Sequence, residues 1–165
     1  MKIPNYMPEF LVDLDFETKS EVNIKTDTTW NYASHPSTDI FMMSYNIHRT
    51  DEVPNLDETE LWNFDDPKPR RLLRLLNHTY YGIQAHNIWF EYLIWKFVAV
   101  LKYGWPEMPL EKFHCTQARC SNFGMPVALE AAGTALDLGI QKDKRGQDLI
   151  GFFSVPQSKN RRKKI

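Results

Sequence analysis

The sequence predicts an α/β sandwich built around a mixed β-sheet. The stretch "FLVDLDFETKS" alternates acids with apolar residues, the period of a strand, while later apolar runs repeat at helical spacing. The two kinds of segment interleave along the chain, which favours layers of helix on sheet. A chain of 165 residues, with 42% hydrophobic and 25% charged side chains, is long enough for one domain with a core.

Residues 10–17 read as a buried strand. "TTWNYASHPSTD" is polar, contains Pro36, and reads as an irregular link or short edge strand. "IFMMSYNIH", residues 40–48, is rich in β-branched and aromatic types and suits a second strand. "RTDEVPNLDETELWNF" reads as a hairpin or loop with a weak strand near Trp62. "DDPKPRRLLRLLNH" reads as a helix with proline near its first turn and Leu72, Leu73 and Leu76 on one face. "TYYGIQAHN" follows as a short strand. "IWFEYLIWKFVAVLKYG" places Phe90, Leu93, Ile94, Phe97, Val98 and Leu101 at helical spacing, and Gly104 stops it. "FHCTQA" reads as a strand or an extended loop, "PVALEAAGTALDLG" as a helix ending at Gly139, and "DKRGQDLIGFFS" as a last short helix.

Charge and cysteine content narrow the function classes. The net charge of −1 advertises no overall polyanion-binding surface, although "SKNRRKKI" closes the sequence with five cations and no acid. That run suits a solvated tail, a linker or a nucleic-acid contact. Cys115 and Cys120 make neither a disulfide framework nor a four-ligand zinc site, and read as reduced thiols. The first ten residues lack the apolar region of a signal peptide, and no run approaches the roughly 18 apolar residues of a membrane span. The expectation is a cytoplasmic protein with no membrane partner. Arg70, Arg71 and Arg74 read as a solvated helix face rather than a DNA contact, and most of the five tryptophans as core.

Two constellations carry chemistry. Asp13, Asp15 and Glu17 project from one side of the first strand. Residues two apart are about 6.6 Å apart along a strand, so Asp15 and Glu17 reach one divalent ion. Carboxylate oxygens suit hard cations such as Mg²⁺ or Mn²⁺, and two such ions serve phosphodiester hydrolysis. In "AHNIWFE", Asn87 stands where it can cap the following helix, and Glu91 falls in that helix's first turn. Either pattern alone is also what a solvated strand face or a well-capped helix produces.

Together they resemble a known family. "DLDFETKSEVNI", "WNYASHPSTDIFMMSYNI", "QAHNIWFEYLIW" and "FHCTQARCSNFGMPVALEAAGTALDLGIQKDKRGQDLIGFFSVP" are similar, in the family's order, to the 3′→5′ exonuclease domain of bacteriophage-type family A DNA polymerases. That domain is a DEDD exonuclease, and the likeness runs over residues 10–156. The resemblance implies a ribonuclease H-like three-layer fold, a domain over residues 1–156, and a basic tail or linker over 157–165. It implies proofreading hydrolysis at the single-stranded 3′ end of DNA, with Mg²⁺ or Mn²⁺ in a two-metal site. The family's first motif falls on Asp15 and Glu17, and its second on Asn87, Phe90 and Glu91, with Glu where Asp is usual. Asp15, Glu17 and Glu91 are thus the expected catalytic and metal-binding acids, and Thr18, Asn87 and Phe90 the expected substrate contacts.

One departure matters. The family needs a fourth carboxylate from a third motif, Y-x-x-x-D or H-x-x-x-x-D, and neither Asp137, Asp143 nor Asp148 has a Tyr or His at that spacing. The fold is therefore expected to be incomplete at its C-terminus. The chain is expected to be weak alone, with the polymerase remainder or a second polypeptide supplying that motif. Two rivals stand beside this reading: an inactive assembly module of a split polymerase, and a stand-alone nuclease acting on RNA.

Overall fold

The computed structural model describes residues 8–77 and 80–139. They form a five-stranded mixed sheet of order β3-β2-β1-β4-β5. The central strand β1 (Phe10–Lys19) pairs antiparallel with β2 (Asp39–Arg49) and parallel with β4 (Tyr81–Ala85). The edges are β3 (Glu60–Asn63), antiparallel to β2, and β5 (Phe113–Cys115), parallel to β4. The helices are α1 (Thr29–Ser34), α2 (Arg70–Leu75), α3 (Ile88–Ile94), α4 (Thr116–Asn122) and α5 (Leu129–Ala135). A five-stranded mixed sheet flanked by helices is the predicted α/β class, and it agrees with a ribonuclease H-like three-layer fold.

Alternation along β1 builds the core. Val12, Leu14, Phe16 and Thr18 are buried, and so are Ile40, Met43 and Tyr45 beside them on β2. Against this face pack Tyr32 and Ala33 of α1, Leu72 of α2, Leu93 and Ile94 of α3, and Trp95, Val98 and Ala99 after it. Trp95 is 1% exposed, its ring tilts against Phe16, and its indole N–H donates to Pro106 O at 2.9 Å. A buried aromatic of this size contributes about 4–6 kcal/mol of transfer free energy. Trp62, Tyr103 and Trp105 extend the cluster through edge-on ring contacts.

Several expectations shift at element ends. The stretch read as an irregular link contains α1, capped by the Thr28 hydroxyl accepting from Asn31 N. The long helix runs straight from α3 into a π-helical turn, Trp95–Val100. That wider turn rotates the apolar stripe, so Ala99 is buried while Leu101, expected in the core, is 71% exposed. "FHCTQA" is strand only over Phe113–Cys115; from Thr116 it is helix α4, which neither a strand nor an extended loop anticipated. The helix expected to end at Gly139 stops at Ala135. The last expected helix, Asp143 and Asp148, and the basic tail lie outside the described residues. Cys115 and Cys120 are free thiols.

Candidate active site

The opposite face of β1 carries the acids, and the structure divides them. Asp13 stands in a row with Asn46 and Gln84 on the neighbouring strands. Gln84 Nε2 donates to Asp13 Oδ1 at 2.6 Å, and His48 Nε2 lies 3.3 Å from Asp13 Oδ2. Asp13 is thereby bound into the sheet. Asp15, opposite Ser44, is exposed, and Glu17, opposite Met42, is half-buried. Just beyond Glu17 the β1–β2 register shifts at a bulge. A bulge re-aims the strand end, a frequent device beside functional sites.

Burial pushes the Glu17 carboxyl above its ordinary range, and the negative charge of Asp15 pushes it further. Glu91 sits in the first turn of α3, 4% exposed. Burial raises its pKa to about 8; its own backbone N–H pulls downward, and Asp15 and Cys115 push upward again. Asp15 thus acts on both Glu17 and Glu91, so one strand acid lies within electrostatic reach of the other two. Glu91 Oε2 is buried with no hydrogen-bond partner among the described residues. An orphaned carboxylate oxygen is an expensive feature to keep in a folded chain.

The expected substrate contacts fall nearby with changed roles. Asn87 precedes α3 but makes no side-chain cap bond, and its φ of 66° is left-handed. Asparagine tolerates that conformation better than most residues, so its position is explained by backbone shape rather than capping. Phe90 is half-buried, its ring centroid 6.1 Å from that of Tyr32. Thr18 is buried and its hydroxyl pairs with Tyr32 Oη at 2.8 Å. Any contact it makes with a ligand would therefore come through the shape of the bulged strand end.

One residue, Tyr32, escaped the sequence reading, and Cys115 was read as a reduced thiol without its electrostatic setting. Tyr32 joins the acid strand to the Glu91 helix, through Thr18 on one side and Phe90 on the other. Recognising Thr28 as a helix cap would have placed it on α1. Burial pushes the Cys115 thiol up, but the backbone N–H groups of Ala118, Ile88, Asn87 and Gln117 outweigh this and hold it below its ordinary value. The two histidines near the site are locally engaged. His86 contacts Thr116 Oγ1 at 3.2 Å and Val127 O at 2.7 Å. His114 covers Gly82, where an added Cβ would meet its ring at 2.7 Å.

The donor set fits a divalent cation in its chemistry. Asp15, Glu17 and Glu91 supply hard oxygens, and the Glu91 orphan is an acceptor with nothing to accept from. Among the described residues, however, no group of three or more His, Cys, Asp or Glu stands close enough together to hold an ion. The acids are electrostatic neighbours rather than a closed cage. Beside them, on the same sheet face, lies a groove of about 690 Å³ whose walls include Asp13, Asp15, Asn46, Gln84, Thr116 and Leu129.

The chain is similar to a phage DNA polymerase. Over 145 residues it is 28% identical to the DNA polymerase of Bacillus phage SP02, which covers 88% of this chain and 21% of that protein. The chain therefore spans about a fifth of that polymerase's length. No family model matches. The likeness supports a relation to phage DNA polymerases. Among the described residues no helix is long and apolar enough to cross a membrane.

Proposed function

We propose that the chain is the metal-dependent 3′→5′ exonuclease part of a phage-type DNA polymerase, hydrolysing the last phosphodiester of a frayed DNA strand. One observation carries this reading: a buried Glu91 with an unpartnered oxygen, set within the field of Asp15 on the acid strand. A structural carboxylate would have found a donor. One that waits for a cation need not, since an ion restores the charged form that burial opposes.

Asp15 and Glu17 would hold the main Mg²⁺ or Mn²⁺, and Glu91 would support the second. Such ions supply Lewis-acid stabilisation of phosphate charge and an acidified water. The chain's own residues do the placing. The bulge after Glu17 turns the strand end, Tyr32 fixes Thr18, and Phe90, beside Glu91 on α3, packs its ring against Tyr32. The fourth carboxylate would come from the polymerase remainder or a second polypeptide. The groove lined by Asp15, with the exposed Leu56 and Leu129 among its walls, offers a surface for that piece. The open spacing of the acids also favours a second reading, an assembly module that docks without catalysing.

The test mixes the chain with Mn²⁺ and a 3′-labelled oligodeoxynucleotide, with and without a polypeptide carrying the downstream polymerase region. Mononucleotide release only on reconstitution, lost with Asp15→Asn, is the expected result. No release in either mixture would overturn the enzyme reading and leave the module. Faster release from an RNA end would redirect it to a ribonuclease.

A further inference from the structure

We infer that single-stranded DNA leaves the acidic site over Phe64 and Lys19 and is gripped by a basic groove along α2, lined by Lys68, Arg70 and Arg74; this rests on the nuclease reading above. The groove encloses about 440 Å³, and its remaining walls are Pro67, Leu73 and Asn77, with no acid among them. Arg70, Leu73, Arg74 and Asn77 follow i, i+3, i+4, i+7 spacing, so they line one side of the helix and its exit.

Three arginines stand on this helix, and the structure separates them. Arg71 points away from the groove and is bound to Glu60, Nη1 to Oε1 at 2.6 Å. Arg70 and Arg74 are exposed and form no ion pair among the described residues. Among the described residues Lys68 Nζ donates to a carbonyl, Gly104 O at 3.0 Å, and forms no ion pair. The nearest acid in sequence, Asp66, is turned onto Asn63 N and Nδ2. Three cations outside any ion pair among the described residues, along one groove, match a phosphate chain.

A tight turn, Asp66 N donating to Asn63 O at 2.9 Å, joins the end of β3 to the groove's first wall residue, Pro67. Glu17, Met42 and Asn63 stand in one row across β1, β2 and β3. Phe64 follows Asn63 directly, is 47% exposed, and has Lys19 Nζ 5.3 Å from its ring centroid. Lys19 lies two residues past Glu17 on β1. An exposed ring topped by a cation, three residues before Pro67 of the basic groove, suits a base stacked over a backbone held by charge.

Fluorescence anisotropy of a dye-labelled oligo(dT) against the full chain, across a salt series, tests this directly. The variant Lys68→Ala/Arg70→Ala/Arg74→Ala is expected to flatten the slope of log affinity against log salt by about 2, at roughly 0.7 per phosphate contact for single strands. Phe64→Ala is expected to weaken binding about tenfold with the slope unchanged. Arg71→Ala is expected to leave the slope alone. All of these residues are exposed, and unchanged circular dichroism confirms the fold. A wild-type slope in the triple variant, no oligo(dT) binding by the wild type at low salt, or equal competition by polyglutamate would each overturn the proposal. Mn²⁺ binding, measured on the same variants, reports on the nuclease reading separately and is expected to stay unchanged.

Discussion

The two faces of β1 obey opposite rules. Val12, Leu14 and Phe16 are sealed against aromatic and aliphatic side chains, while the next residue after each, Asp13, Asp15 and Glu17 in turn, points the other way. On the first face every side chain has a partner that explains it. On the second, Asp13 is bound by Gln84 and His48, while the charge of Asp15 raises the pKa of both Glu17 and Glu91. Folding accounts for the apolar face, while on the acid side burial first, and Asp15 second, keep the Glu17 and Glu91 carboxyls above their ordinary range. The contrast teaches that a single strand builds the core with one set of alternate residues and, on the proposed reading, leaves the other set for function.

The contrast breaks most sharply where stability is concentrated. Trp95→Ala, on the sealed side, is expected to lower unfolding free energy by about 3–5 kcal/mol in chemical denaturation. Next comes Glu91. Its folded pKa of about 8 lies above the ordinary 4.5, so the unfolded chain gives up the proton first. Stability is then full below about pH 4.5 and declines as pH rises toward 8, by at most about 1.4 kcal/mol per unit. Glu91→Gln is expected to flatten that decline and to be the more stable protein at pH 8; denaturation midpoints across pH read it. A midpoint independent of pH in the wild type would remove Glu91 from the account.

Tyr32→Phe takes away one hydroxyl and leaves Thr18 Oγ1 without that partner. Loss of about 1 kcal/mol is expected, and Thr18→Val in the same background should recover part of it. Asp15→Asn is the smallest in stability, within about 0.5 kcal/mol, because the side chain is exposed and sits among like charges. The same substitution is expected to have the largest effect on divalent-ion binding, which is the contrast in its sharpest form.

Much of this was legible in residue order. The period-two pattern of "FLVDLDFE" told both faces of β1 apart, and the helical repeat of "IWFEYLIWKFV" placed Leu93, Ile94 and Val98 inside. The π-helical turn was not legible, because nothing in "WKFVAV" marks where the period widens, and so Leu101 was misassigned. Asn87 looked like a cap, since asparagine favours both capping and the left-handed region, and only backbone dihedrals separate them. The division of labour among three alternating acids depends on Gln84 and His48, which lie far along the chain. For the same reason Arg71 could not be told from Arg70 and Arg74 until Glu60 was seen beside it.

The measurement that bears most directly on the acid cluster is a calorimetric Mn²⁺ titration of the whole chain near neutral pH, repeated with Asp15→Asn and Glu91→Gln. Saturable uptake with proton release, abolished by the first substitution and weakened without proton release by the second, is what the proposed nuclease reading predicts. Identical uptake by all three proteins, or none by any, would contradict it.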